Sequence, residues 1–406
     1  MRILVGGFGT RGDVQPMLAL ALALRERGHA VTVCAPPDFD KWTGELGLTY
    51  HAVGESMQHL VERAAGRHGT IGPRAALREI PKLVATHYQA LEPLARACDV
   101  MVASSLTAAG ASFGEKFGIR YHYVGFCPVI LPSGEHPSPF TESQTLPRWM
   151  NRFTWWAGSI LNNAALRRAI NAERRRMDLP PVGDAWSHVL FQRLLMASEP
   201  ALGALPGEAP PNVVQTGAWF MPEHEDLPPD VEEFLQAGPV PVYIGFGSMP
   251  DKDPVGTSRR VLEAVLKAGA RALLSRGWAG LGKIDLPPTV RVIGPTPHGK
   301  LFPRCAAVVH HGGAGTTANA ARSGVPQVLV PHLMDQFFWC HRVWKLGLSP
   351  PPIHRGRLEV APLAAALRVC LDDAALRERA RAFAGRMVRD GLDRAVRIIE
   401  ARTEPA

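Results

Sequence analysis

Short apolar, often β-branched runs recur along the chain at 3–5, 30–34, 99–103, 121–125, 213–217, 241–245, 270–275, 290–293, 306–309 and 328–330. Each is too short for a helix and is closed by Gly, Pro or polar residues, the pattern of a buried strand. Stretches of helical period lie between them. One starts near Val14 and stops at Gly28, another starts near Thr257, and a third, 318–322, is ended by Gly324 and Pro326. Strand, helix and strand in alternation predict parallel sheets covered by helices.

The alternation breaks in two places. Between about 126 and 165, Phe126, Trp149, Phe153, Trp155 and Trp156 gather among prolines and polar residues. They read either as helix-packing residues or as the lining of an apolar cleft. Residues 220–238 are rich in Pro and acidic residues, with one short helical piece, and read as a linker. The chain thus divides into 1–219, the linker, and 239–388, with an amphipathic helix at 390–402 inside a closing segment 389–406. At 406 residues it exceeds one ordinary core. Two α/β halves with loops at strand ends predict two Rossmann-like domains facing one another.

Composition narrows the setting. Hydrophobic residues make up 46% and charged residues 20%, a globular balance. No run approaches the ~18 apolar residues of a membrane span, and 1–5 is too short for a signal peptide, so the expected location is the cytoplasm. The six cysteines (34, 98, 127, 305, 340, 370) lack paired spacing and read as reduced thiols. The net charge of +8 suits anionic ligands or membrane surfaces. The densest basic cluster, Arg167-Arg168 with Arg174-Arg175-Arg176, carries no interleaved aromatic platform, which argues against nucleic acid. It reads as a solvated helix face or a peripheral membrane contact.

The candidate chemistry sits in three loops. His310-His311-Gly312-Gly313-Ala314-Gly315-Thr316-Thr317 falls between a strand and a helix. Glycines let backbone approach a ligand, and the helix start offers free amides and the positive end of a dipole. That composition favours anion binding over a plain turn. Pro331-His332-Leu333-Met334-Asp335-Gln336 follows an apolar run and sets a carboxylate and an amide at the carboxyl edge of the sheet. Near the amino terminus, Gly7-Phe8-Gly9-Thr10-Arg11-Gly12 fits G-x-G-x-x-G. The acidic ribose ligand of a dinucleotide site is replaced by Ala35-Pro36-Pro37, so nicotinamide and flavin are disfavoured. Asp13 ends this loop and reads either as a base or as the cap of a helix beginning at Val14. Asp251-Lys252-Asp253 matches D-x-D but reads as a polar loop, and no metal is expected.

Residues 310–317, then Gly324-Val325-Pro326-Gln327, 331–336, Arg342-Val343 and Leu346-Gly347 resemble the donor signature of family 1 nucleotide-sugar glycosyltransferases, which have the GT-B fold. Residues 9–16 resemble the first loop of sterol glucosyltransferases and of bacterial glycopeptide and polyketide glycosyltransferases. The Pro350-Pro351-Pro352 run leans toward the sterol-type branch. The resemblance implies an interdomain cleft, a final helix crossing back to the first domain, and a uridine diphosphate sugar donor. It implies that Ser248, His311, Gly313, Gly315 and Thr316 meet the diphosphate, Trp278, Pro297 and His298 the nucleoside, and Asp335 and Gln336 the sugar. It also makes Asp13 the base. The expected activity is inverting transfer of a hexose, glucose first, to a lipophilic hydroxyl, with Phe126, Trp149, Phe153, Trp155 and Trp156 as acceptor residues. A thymidine diphosphate deoxysugar transferase is the alternative. More distant are a nucleotide-sugar epimerase and a non-catalytic nucleotide-sugar-binding partner.

Overall fold

A computed structural model of the chain describes residues 1–65, 73–105, 107–222 and 226–401. The first sheet comprises β1 (Arg2–Phe8), β2 (Ala30–Ala35), β3 (Thr49–Ala52), β4 (Val100–Ser105), β5 (Arg120–Gly125), β6 (Leu194–Met196) and β7 (Val213–Gln215), in the order β3-β2-β1-β4-β5-β6-β7. The second comprises β8 (Val242–Gly245), β9 (Ala272–Ser275), β10 (Val290–Ile293), β11 (Val308–His310) and β12 (Gln327–Leu329), ordered β10-β9-β8-β11-β12. Every pairing in both sheets is parallel.

The central strands form because their side chains have apolar partners on both faces. On β1, Ile3 and Val5 enter one core with Leu18, Leu22 and Val33, while Leu4 and Phe8 enter another with Leu91, Met101 and Tyr121. The strand order also positions the chemistry. Because β1 lies between β2 and β4, its carboxyl end stands beside that of β4, with Phe8 opposite Ser105. In the second sheet β11 lies between β8 and β12, so the turns after all three converge.

The two domains share an apolar seam. Cys127, Val129 and Leu202 pack with Leu329, Phe338, Trp339 and Val343. Arg342 Nε donates to the Leu202 carbonyl at 3.0 Å, and the Val388 amide donates to the buried Glu199 carboxylate at 3.0 Å. The chain then passes close to Gly217 (φ +105°), where a Cβ would lie 2.7 Å from Val388 Cγ1 and 3.3 Å from Gly391 Cα. The closing helix, Gly391–Glu400, returns to the first domain and buries Ala395, Val396 and Ile399 against Leu18 and Leu22. Residues 402–406 of the expected closing segment lie outside the described residues.

The interval 220–238 is not linker throughout. Its helix, Pro229–Gln236, buries Val231, Phe234 and Leu235 against Tyr243, Leu273 and Phe302, which builds that part into the second domain. Residues 223–225 lie outside the described residues. The basic cluster also divides. Arg174 is buried, donating to the Pro180 carbonyl, Ser112 and Glu115, whereas Arg167, Arg168 and Arg175 are exposed. All six cysteines are buried free thiols. Among the described residues no helix is long and apolar enough to cross a membrane.

Candidate active site

The first loop runs from β1 into the helix Arg11–Glu26. This helix begins three residues before Val14, so Thr10, not Asp13, is its N-cap. Asp13 occupies the third helical position and reaches back. Its Oδ2 accepts from the Thr10 amide at 2.8 Å and from the Thr10 hydroxyl at 3.3 Å. This is a capping box with Asp in the place of Glu. Gly9 makes room for it: at φ +154°, a Cβ there would lie 2.2 Å from Asp13 Oδ2.

The other carboxylate oxygen is held from β4. Ser105 Oγ donates to Asp13 Oδ1 at 2.7 Å. Ser105 has a left-handed backbone, φ 59°, rare for a non-glycine residue. Its carbonyl is pinned by the Tyr123 hydroxyl at 2.7 Å. Burial raises the Asp13 pKa above the usual carboxylate value, opposed first by the Ser105 bond and then by the Thr10 bonds. That shift moves a carboxylate toward the range useful for a base.

Across the cleft, the helix Asp335–Lys345 begins with a carboxylate. Burial, and then the negative charge of Asp13, push Asp335 up to about 7. Two carboxylates from opposite domains therefore sense one another. The preceding turn is strained at Met334, φ 53°. Gln336 braces it, its Oε1 accepting from the His332 amide at 2.8 Å and the Leu333 amide at 3.1 Å. Its Nε2 faces Met249 Sδ at 3.3 Å.

The glycine-rich turn links β11 to the helix Ala314–Arg322. Gly312 has φ +88°, and a Cβ there would come within 2.4 Å of Cys340 Sγ. A Cβ on Gly313 would meet His311 Nε2 at 2.5 Å, whereas Gly315 faces open space. Gly313 is the N-cap and has no side chain to satisfy the first amides. His311 is buried with Nδ1 unpartnered. Ser248 follows Gly247, which packs on the His311 ring, and the Trp278 amide donates to the Gly247 carbonyl at 2.9 Å. Pro297 and His298 open a short helix, where the His298 ring stacks on Phe302 with centroids 4.3 Å apart.

Four imidazoles surround this turn, and all are pushed toward the neutral form. Burial lowers His298 to about 3 and His310 and His332 to about 4, and takes His311 well below its ordinary value. Arg11 of the first domain adds to the shift at His298. What the turn offers an anionic ligand is therefore hydrogen-bond donors, the free amides of the helix start and neutral imidazole N–H groups.

The structure brings Asp13, Asp335, Gln336, Ser248, Trp278, Pro297, His298, His311, Gly313, Gly315 and Thr316 to the strand ends that border the cleft. The aromatic group is split. Phe126 packs half-buried after β5, and Trp155 is buried with Nε1 donating to the His136 carbonyl at 3.2 Å. Trp149, Phe153 and Trp156 lie exposed on the outer face of the helix Arg148–Arg176. A cavity of about 240 Å³ is lined by Pro132, Pro139, Phe140, Trp155, Trp156 and Trp186. The D-x-D pattern is otherwise engaged: Asp251 pairs with Arg355, and Asp253 caps the helix Pro254–Lys267. Ser105 lies in no motif, and Arg11 occupies only a variable position of the first-loop pattern.

This geometry can be set beside known proteins. Residues 3–132 match the glycosyltransferase family 28 N-terminal domain, and residues 272–396 match the erythromycin biosynthesis protein CIII-like C-terminal domain. Glycosyltransferase GtfE of Amycolatopsis orientalis is 37% identical over 404 residues, covering 96% of this chain and 95% of the relative. The vancomycin aglycone glucosyltransferase of the same organism is 36% identical, covering 98% and 97%. The chain belongs to this glycosyltransferase family. The glycosyltransferase relationship extends to sterol 3-beta-glucosyltransferase UGT80B1 of Arabidopsis thaliana, 32% identical over 91% of this chain and 63% of that protein. Among solved structures, glycosyltransferase VinC in complex with DTDP superposes with a TM-score of 0.66 at 22% identity, covering 98% and 100%. The glycosyltransferase therefore has the GT-B fold, and its two sheets are the two halves of that fold.

Proposed function

We propose that this glycosyltransferase moves a hexose, glucose first, from a uridine diphosphate donor to a hydroxyl of a lipophilic acceptor, with inversion. The observation that carries the reading is the Asp13 carboxylate, held by Ser105 and Thr10 at the cleft and opposed by Asp335 from the other domain.

The step balances with these groups alone. The acceptor oxygen attacks the anomeric carbon as its proton passes to Asp13. The bond from that carbon to the diphosphate oxygen breaks, and the electron pair leaves with the diphosphate. Charge grows on the leaving group, where the amides of Ala314, Gly315 and Thr316, with His311, stabilise it more in the transition state than in the ground state. Burial and the charge of Asp13 favour the protonated form of Asp335, and in that form it can donate to a sugar hydroxyl without repelling Asp13. One base and no covalent nucleophile imply a β-glycoside from an α-linked donor.

The second reading, a thymidine diphosphate deoxysugar donor, is favoured by specific comparisons. A 34% identical relative is a dTDP-epi-vancosaminyltransferase, and the solved neighbour VinC is bound to DTDP. A competition between uridine diphosphate glucose and a thymidine diphosphate 4,6-dideoxy sugar separates the readings. The acceptors are a sterol, a flavonoid, a macrolide and a glycopeptide aglycone, with products read by mass and proton NMR. A site that bonds a hydroxyl rejects a sugar lacking it, so glucose should win. Equal or reversed preference establishes the deoxysugar reading, and an α-glycoside product overturns single displacement.

A further inference from the structure

The helix Arg148–Arg176 has two apolar faces, and only one of them is covered. Trp155, Ala169 and Ile170 are buried on the inner face. On the outer face Trp149, Phe153, Trp156 and Ile160 are 69%, 56%, 60% and 51% exposed. Their spacing of four, three and four residues places them in one stripe. The stripe is about 17 Å long at helical rise, and the exposed Phe140 adds to it at the rim of the cavity. A soluble surface rarely shows so many large apolar groups together without a partner.

The same helix carries seven arginines against one glutamate. Arg148 and Arg152 are neutralised in part by Glu208, at 3.4 and 2.6 Å. Further along, Arg167 continues the line of the stripe, with Arg168 and Arg175 beside it. All three are exposed, and no ion pair of theirs appears among the described residues. The helix therefore presents aromatic rings at one end and cationic side chains at the other.

We propose that this outer face docks the enzyme on an anionic lipid bilayer. Tryptophan and phenylalanine suit the boundary between headgroups and acyl chains, and arginines on such a helix add attraction to anionic lipid. The charge selects the occupant: Arg167, Arg168 and Arg175 have no ion pair among the described residues and the chain carries a net charge of +8, which an anionic lipid surface complements. Docking would hold the interdomain cleft near the lipid surface. The inner face of the helix reaches that seam through Trp155 and His136, whose ring meets Phe338 of the second domain at 5.6 Å. The proposal does not depend on which acceptor the enzyme uses.

The test is co-sedimentation of the full chain with vesicles of phosphatidylcholine alone and of phosphatidylcholine with phosphatidylglycerol. Wild type should bind the anionic vesicles at least tenfold better, and added salt should weaken that binding. Trp149→Ser with Phe153→Ser should lower binding at least tenfold, with an unchanged unfolding midpoint. Arg167→Glu with Arg168→Glu should remove the preference for anionic lipid. If the double serine variant unfolds early, Trp149→Ser alone carries the test. The proposal is overturned if wild type binds neither vesicle or if the serine variants bind as wild type does. It is also overturned if ultracentrifugation shows a wild-type dimer that the serine substitutions dissociate.

Discussion

The turn after β1 and the turn after β11 are the same unit built for opposite charges. Each joins a parallel strand to a helix and has glycine at the second helical position, Gly12 in one and Gly315 in the other. They differ at the third. There the first turn has Asp13, whose carboxylate occupies the Thr10 amide; the second has Thr316, with a glycine N-cap and no acid in its first turn. A helix start satisfied by its own carboxylate has little to offer an anion, and the carboxylate so held becomes available as a base. A helix start left unsatisfied retains its amides and dipole for a diphosphate. On the proposed function, one position thus separates the acceptor side of the cleft from the donor side.

The largest expected effect comes from removing the charge in the first turn. Asp13→Asn retains an oxygen for the Thr10 amide, so the fold and donor affinity should change little. It cannot take the acceptor proton, and kcat should fall by on the order of 10²–10⁴. Steady-state kinetics and calorimetry on the same preparation check both halves. Near-normal turnover would leave Asp13 with capping alone.

Making the second turn resemble the first should be nearly as damaging, and in a different quantity. Thr316→Asp puts a carboxylate at the position equivalent to Asp13. An acid in the first turn stabilises a helix by about 0.3–1 kcal/mol, so the unfolding midpoint should hold or rise. Against a diphosphate the like charge costs several kcal/mol, and uridine diphosphate should bind on the order of 10²–10³ times more weakly. Unchanged affinity would mean that the anion does not sit at this helix start.

His311→Ala tests the remaining donor in the second turn. Its Nδ1 is buried without a partner, and a hydrogen bond to a charged group contributes about 1.5–3 kcal/mol, roughly 10- to 150-fold in affinity. The imidazole is neutral without ligand, and an adjacent diphosphate favours its protonated form. Binding should therefore take up protons and tighten as pH falls. Calorimetry in buffers of different ionisation enthalpy reads that uptake, which should shrink in the variant.

Much of this contrast was legible in the sequence because it is local. Strand, glycine turn and helix follow one another without interruption over Arg2–Glu26 and over Val308–Arg322, and apolar runs mark the strands. What depended on pairing was not. Ser105 touches Asp13 only because β4 lies beside β1, and no periodicity states that order. The strand β3 is largely exposed and leaves no apolar run to read; β6 does leave one, Leu194-Leu195-Met196, but its place in the sheet depends on pairing with β5 and β7. Arg174 looked like its exposed neighbours because burial of an arginine depends on Ser112, Glu115 and the Pro180 carbonyl, all distant from it or on another element. Base and cap were separate readings of Asp13, yet one carboxylate has two oxygens, and Oδ2 makes the cap while Oδ1 meets Ser105.

The smallest effect should distinguish Ser105 as a positioning residue from a merely structural one. Alanine at φ 59° is about as strained as serine, so Ser105→Ala chiefly removes the hydroxyl. That hydroxyl lowers the Asp13 pKa against the upward push of burial. Without it the pKa should rise further. Asp13 acts in its ionised form, so activity is lost as pH falls through its pKa, and the acid limb of the kcat profile should move to higher pH. At high pH, where Asp13 is ionised in both proteins, kcat should converge toward wild type and the affinity for uridine diphosphate should be equal. Tyr123→Phe, which frees the Ser105 carbonyl, should move the limb in the same direction by less. A variant with lower kcat at every pH and an unmoved acid limb would show that Ser105 supports the loop without tuning the base.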